Sequence, residues 1–416
     1  MKRKLFVLCA LAFTASTLHA GSGGSIYSLM GIGDLRMTPN VRAAGMGYAG
    51  YAVTSPSYIN TLSPASWTRL ERVSMEASLL YEGFSSTNGT QSRYLARTDF
   101  SGAMFALPLS PRDGITLGMG FTPYSKVDFD TYTTQGYTGV EDTMLYSINH
   151  KGLGGISKGQ IGLSWAPTRK ISIGASLNYL FGTLEARTSL IPSSTGYAPG
   201  TQNEETTMNG VNFTVSALLD NLGDLVPALS PLTLGVALTT GVDLSTTHRY
   251  TYIFEGRYDT TSEQVGRLVI PMTLGVGFAY HPTDRWLFAA DITVQPWSMS
   301  EFRGATPTAI RDARSIGMGV ERLPSREPGA PLLDRTAFRL GFLYQATYYN
   351  PNGEPINAWA ATAGLGIPVS QDTHLNLAVD YGIRGTLNQG LILDHIFRFS
   401  ASLTISQRWF MRPEED

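Results

Sequence analysis

The chain has 416 residues, of which 15% are charged against about a quarter in ordinary soluble domains, and it carries a formal net charge of −2, 44 glycines and 20 tyrosines. That near-neutral balance excludes a strongly basic nucleic-acid binder. Low charge, many aromatics and no run of about twenty apolar residues after the amino terminus exclude membrane-spanning helices, which leaves the closed β-barrel as a route into a membrane.

Residues 1–20 begin with Lys2, Arg3 and Lys4, run through an apolar stretch from Leu5 to Phe13 and end in small residues from Ala15 to Ala20. This is the pattern of a secretory signal peptide, with cleavage expected after Ala20 and Ser16 as an alternative. Cys9, the one cysteine, leaves with it, so the mature chain is expected to use neither disulfides nor thiol chemistry. The expected destination is the bacterial outer membrane, reached through the periplasm.

Residues 21–70 do not alternate. They hold Gly31, Gly33, Gly45, Gly47 and Gly50 with Pro39, Pro56 and Pro64, which suits a compact irregular segment. Its apolar content, including Ile26, Leu29, Met46, Tyr51, Ile59 and Trp67, argues against a disordered leader. A plug inside the barrel is expected, because barrels of this width have room for one.

From residue 71 to 410 the chain alternates with period two, the signature of strands that separate an apolar environment from a polar one. Phe397, Phe399, Ala401, Leu403 and Ile405 oppose Arg398, Ser400, Ser402, Thr404 and Ser406. Leu375, Leu377, Val379, Tyr381 and Ile383 oppose Asn376, Ala378, Asp380, Gly382 and Arg384, and Val211, Phe213 and Val215 oppose Asn212, Thr214 and Ser216. A soluble sandwich alternates too. The polar set here is Gly, Ser, Thr and Asn rather than Lys and Glu, and Trp165, Trp286, Tyr348, Trp359 and Trp409 stand at strand ends as interfacial girdles would. The fold class read from this is all-β: a transmembrane antiparallel up-and-down barrel of about fourteen strands, centred near residues 78, 104, 122, 160, 178, 213, 238, 274, 291, 317, 342, 363, 379 and 403. Tight connections near Ser110–Asp113, Pro167–Lys170, His281–Asp284 and Ser370–Asp372 are assigned to the periplasm. Longer polar ones near Ser85–Arg97, Pro192–Glu205, Gly256–Gln264 and Gly304–Arg311 are assigned to the outside, and residues 411–416 form a periplasmic tail.

Gly31-Ile-Gly-Asp34, Arg42-Ala-Ala-Gly-Met-Gly47 and Ile59-Asn-Thr-Leu-Ser-Pro-Ala-Ser66, leading directly into the first strand, resemble the amino-terminal hatch of the long-chain fatty acid outer-membrane transporter family, the FadL type. In that family the hatch usually carries Asn-Pro-Ala, where this chain has Ser63, Pro64 and Ala65. The resemblance covers nearly the whole mature chain through short motifs. It implies passive uptake of a hydrophobic small molecule, passage by the hatch, and sideways exit through a break in the third strand. Gly118, Gly120 and Pro123 mark such an opening here, since proline cannot donate to a ladder and glycine tolerates a bulge; strand curvature alone is the plainer reading of the same residues.

The six histidines are dispersed, with no metal-like spacing, and no nucleophile elbow or phosphate loop is visible. No enzyme activity, metal or cofactor is expected. Arg384 and Arg398 are candidate lumen contacts for a fatty-acid carboxylate, weighed against a structural ion-pair network. The expected partners are a hydrophobic substrate, outer-membrane lipid and lipopolysaccharide around a monomer, and no nucleic acid. The alternative function is a non-transporting barrel of the same body, acting as a structural or secretion-partner scaffold.

Overall fold

The computed structural model describes residues 21–407, apart from 39, 139–142, 194–196, 222, 224–226, 228–229, 256, 261–262, 303–308, 326, 328 and 371. The expected signal peptide, Trp409 and the carboxy-terminal tail lie outside the described residues.

Fourteen wall strands run in chain order. They are β1 (Val73–Thr87), β2 (Ser92–Ser110), β3 in two segments (Ile115–Pro123 and Ser125–Thr138), β4 (Thr143–Trp165), β5 (Ile171–Pro192), β6 (Gly200–Asp220), β7 in two segments (Leu232–Thr239 and Val242–Phe254) and β8 in two segments (Gln264–Ile270 and Thr273–Thr283). Then follow β9 (Trp286–Gln295), β10 (Ala313–Arg322), β11 (Ala337–Ala346), β12 (Asn357–Pro368), β13 (Thr373–Gly385) and β14 (Leu393–Gln407). Neighbours in sequence pair antiparallel, and β14 returns to β1 through an unbroken ladder from Leu393 opposite Thr87 to Gln407 opposite Val73, which closes the barrel.

The period-two pattern explains the closure. Phe213 and Val215 are 54% and 49% exposed on the outside, while Asn212 and Thr214 on the same strand are buried inside. An apolar exterior around a polar, packed lumen is the inverse of a soluble sandwich.

Two expectations need correction. The connection expected to be long between Ser85 and Arg97 is a tight turn from Thr87 to Ser92, because the alternation of β1 and β2 continues past the membrane. Tyr348, expected in an interfacial girdle, is 2% exposed and faces inward, whereas Trp165, Trp286 and Trp359 are on the outside.

β4, β5 and β6 are 23, 22 and 21 residues long, about twice what a tilted membrane strand needs. Their far halves, with the upper segments of β3, β7 and β8, continue the wall beyond the length a membrane strand needs, at the end expected to face outside. Its inward side closes on a buried apolar cluster of Ile156, Leu180, Met208, Leu244, Leu268, Trp297, Tyr348 and Tyr349, joined by Tyr27 and Ile32.

Candidate functional site: the lumen and the seam between two strands

The amino-terminal segment threads the lumen. Three short turns carry it: Ile26–Leu29 capped by the Ser25 hydroxyl, Val41–Ala44 capped by Asn40, whose Oδ1 accepts from the Ala43 amide at 2.9 Å, and Pro64–Arg69 with its proline at the first helical position. Each is fixed to inward-facing wall residues. Arg42 donates to Glu321 at 2.6 and 3.0 Å, and Arg339 donates to the same carboxylate at 2.8 Å. The Gly50 and Tyr51 amides donate to Asp291 at 2.5 and 2.8 Å, and the Tyr48 hydroxyl donates to Asp380 at 2.6 Å. Buried charges of this kind persist only when paired.

Among the described residues, one gap interrupts the ladder of the first strands. β2 pairs with the lower segment of β3 from Ser110 opposite Ile115 up to Ala103 opposite Phe121, and no ladder pair joins β2 to the upper segment. On its other side β3 stays paired with β4 along both segments, although the turn of direction is made there: Gly154 and Gly155 of β4 have φ of +113° and +154°, and a Cβ on Gly155 would lie 2.3 Å from the Ser125 carbonyl oxygen.

The chain's own amino terminus occupies this seam. Gly21 and Ser22 pair in parallel with Leu95 and Ala96 of β2, while Asp34 and Leu35 pair antiparallel with Lys126 and Ser125 of β3. Gly24 donates its amide to Asp128 O at 3.1 Å, and a Cβ there would lie 2.8 Å from that same backbone oxygen and against the Arg97 guanidinium, so a side chain at this point would crowd the two strands. Side chains bridge the rest of the gap. Arg36 reaches Glu82 and Asp99 at 2.5 Å each, Lys126 reaches Asp99 at 3.3 Å, and Arg97 lies 2.9 Å from Glu82 and 3.6 Å from Asp128.

Inside the seam is a cavity of about 290 Å³, lined by Leu35, Met37, Leu62, Pro123, Tyr124, Lys158, Pro271 and Leu343 among others. Of the two arginines singled out from the sequence, Arg384 is paired with Asp34 at 2.6 Å and Asp394 at 3.1 Å, and Arg398 with Glu82 at 2.8 Å and Asp380 at 3.3 Å. Both line the cavity, yet each already holds two carboxylates. Lys158 and Arg314 also line it; Arg314 stands within electrostatic reach of Asp312, and for Lys158 no carboxylate lies within 4 Å among the described residues. Lys158 sits opposite Thr122 on β3, one step below the break. The sequence reading passed over Lys158, although a lone lysine on the inward side of an otherwise Gly- and Ser-rich strand was a usable signal.

The other candidate residues are spread along the route. Gly118 faces the Trp67 ring, where a Cβ would come within 2.5 Å of it, and Gly120 lies against Met104; both are in intact ladder below the seam. Pro123 ends the lower segment at the break itself. Ser63 accepts from the Ser66 amide at 3.1 Å through its carbonyl, its own hydroxyl finds no partner among the described residues, Pro64 starts the turn, and Ala65 donates its amide to Ser216 at 2.8 Å.

A family model described as BamG matches residues 1–414. The chain belongs to the BamG family. No curated protein matches its sequence. Among solved structures this BamG-family chain is similar to a Pseudomonas aeruginosa FadL homologue, with a TM-score of 0.60 and 13% identity over 89% of this chain and 99% of that one. It is also similar to the CymD monoaromatic hydrocarbon channel, with a TM-score of 0.58 and 15% identity over 90% and 99%. The toluene transporter TbuX of Ralstonia pickettii matches with a TM-score of 0.57 and 15% identity over 89% and 98%. At such identities the likeness is one of fold. It bears out the FadL-type outer-membrane barrel that the amino-terminal motifs pointed to.

Proposed function

We propose that the chain is an outer-membrane channel for passive uptake of hydrophobic small molecules, with residues 21–70 as its hatch and a way through the wall at the third strand. The observation that carries this is the cavity itself: a partly apolar space in the lumen beside the one seam found in the ladder of the first strands, in a fold shared with channels named for monoaromatic hydrocarbon and toluene. An apolar molecule gains little from a watery pore and much from moving between such a pocket and lipid. The unpaired ammonium of Lys158 suits the carboxylate of a long-chain fatty acid better than Arg384 or Arg398, whose hydrogen bonds a ligand would first have to break. The surrounding lipid, lipopolysaccharide included, would hold the barrel as a monomer.

The scaffold reading also has a specific observation in its favour. The apolar cluster under the extracellular sheet covers the lumen from above, as a barrel built to present its outer surface to another protein would allow.

Uptake of a labelled long-chain fatty acid and of toluene into vesicles, with and without the protein, separates these readings. Saturable uptake of either is expected, and the Lys158→Met variant should weaken uptake of the acid about tenfold, the loss of roughly one charge-assisted bond, while leaving toluene unchanged. A folded, heat-modifiable barrel that takes up neither would overturn the channel and leave the scaffold.

A further inference from the structure

The connection from β10 to β11, residues 323–336, is far longer than Asp284 and Arg285, which alone join β8 to β9 at the same end of the barrel. Near its close the chain makes a single helical turn, Leu332–Arg335, in which no residue is buried; Leu332 and Leu333 are 59% and 72% exposed. Two large apolar side chains left bare side by side ask what lies against them.

The wall fixes where that turn sits. On β10, Ile316 and Met318 are exposed on the outside, while Glu321 is inside, where it holds Arg42 and Arg339. Period two therefore puts Arg322 on the outside. Its ladder partners agree: it stands opposite Trp286 of β9 and Phe338 of β11, both exposed outward, with its guanidinium 5.7 Å from the centre of the Phe338 ring. From that outward position Arg322 donates to the Leu333 carbonyl at 3.3 Å and to the Asp334 carboxylate at 2.5 Å, and Arg285 stands 3.6 Å from the same carboxylate. Thr336 shares the outward parity of Phe338 and Leu340, yet it is buried, and its hydroxyl donates to the Leu332 carbonyl at 2.8 Å. Leu323, by contrast, packs inward on the cluster of Met46, Ala49 and Leu287. The chain thus leaves the lumen at Leu323, folds around the end of the wall, and is clipped to its outer face at Asp334.

Trp286 and Phe338 stand at the ends of their strands, as the residues of an interfacial aromatic belt do. The leucines therefore lie beside that belt, where headgroups give way to acyl chains. Turned into the leaflet they remove apolar surface from water, while the Asp334 charge is already matched by Arg322 and the exposed Arg335 is placed to meet lipid phosphate.

We propose that this turn is a membrane hook: Leu332 and Leu333 enter the periplasmic leaflet around the barrel, and the Arg322–Asp334 pair is the clip that holds the turn against the wall. The occupant is phospholipid, because the face is continuous with the lipid-facing side of β9 to β11. The hook gives the barrel a footing on the side where β10 also holds the amino-terminal segment through Glu321, and it is independent of whether the barrel transports anything.

The one cysteine, Cys9, lies in the expected signal segment, so a single thiol can be placed in the mature chain. In the full-length mature protein, Leu333→Cys is labelled with a fluorophore and reconstituted in phospholipid vesicles with and without lipid that carries a nitroxide near the top of its acyl chain. Two labelled variants are references: Ser370→Cys, in the tight turn between β12 and β13 at the same end, and Thr90→Cys, in the turn between β1 and β2 at the other. The label at 333 should be quenched at least about twofold more than the one at 370, and the one at 90 not at all. Leu333 is exposed, so its replacement removes no packing, and heat-modifiability confirms a folded barrel. Adding Arg322→Gln should bring quenching at 333 down toward that at 370, because Arg285 at 3.6 Å is a weak clip by itself. Quenching at 333 no greater than at 370 would overturn the hook and leave the leucines as a face for a protein; quenching that survives Arg322→Gln in full would overturn the clip.

Discussion

The wall of this barrel is closed in two different ways, and the contrast between them explains what each part is for. Where β14 meets β1, fifteen successive residues face fifteen others in a continuous ladder, and small hydroxyl pairs such as Ser74 with Ser406 at 2.9 Å lie behind it. Where β2 meets the upper half of β3, the ladder stops, and its place is taken by a thread of chain and a set of charged side chains. A ladder is cooperative along its length; the thread is held by two short pairings and by its own buried side chains, Tyr27, Ile32 and Asp34 among them. In a bilayer an unpaired strand edge is costly, so the second kind of closure is tolerated only where something else satisfies the backbone or where the wall has risen above the hydrocarbon.

The largest expected effect concerns the anchoring of the thread. Gly47 has a φ of +64°, and a Cβ there would lie 2.3 Å from the Phe342 carbonyl oxygen and 2.5 Å from that of Met318. Gly47→Val combines an unfavourable backbone region with overlap against main chain, and should cost more than about 3 kcal/mol. The barrel keeps its ladders, so the expected result is a heat-modifiable barrel whose residues 21–70 become open to protease; a variant as resistant as the wild type would show that the segment is not seated by this contact. Next in size is the buried ion pair that holds the same segment further along. Arg42→Met leaves Glu321 with Arg339 as its remaining partner, so the loss should be near 2 kcal/mol, below the 3 to 5 of a carboxylate left wholly unpaired. Urea unfolding of Arg42→Met beside the unaltered protein measures it; an Arg42→Lys midpoint equal to that of the unaltered protein would show that charge alone is sufficient, and one equal to that of Arg42→Met would show that the guanidinium geometry carries the contact.

The difference between the two closures also marks how far the sequence could be read. The strands were legible because each carries its own record: Phe213 and Asn212 face opposite ways whatever lies elsewhere in the chain, and all fourteen expected centres fall in wall strands. The seam was not legible in the same way, because it depends on Gly24 meeting Arg97 and Asp128, residues far apart in sequence whose types give no sign of the encounter. Pro123 pointed to the right strand, since a residue without an amide ends a ladder wherever it stands. Gly118 pointed elsewhere for a physical reason: it lacks a side chain to make room for Trp67, a packing need that looks identical, in one dimension, to the freedom a bulge requires. Arg384 and Arg398 were visible as inward charges, but whether an inward charge is free or paired is decided by partners on other strands.

The smallest expected effect sharpens the comparison most. Lys126 and Asp99 bridge the seam at 3.3 Å with side chains 32% and 19% exposed, so their attraction is screened and Lys126→Ala should cost less than about 1 kcal/mol of overall stability. The local consequence should nonetheless be selective, because at the seam side-chain charges do what backbone pairs do elsewhere. Amide hydrogen exchange is expected to quicken for the thread at Asp34 and Leu35 and to stay unchanged along β1 opposite β14. Raising the salt concentration to about 1 M, where screening acts within about 3 Å, should reproduce the same selective quickening in the unaltered protein. If exchange at the seam ignores both the substitution and the salt, its closure rests on the thread's backbone bonds alone, and the charges around Asp99 belong to the fixed lining of the lumen and not to a part that moves.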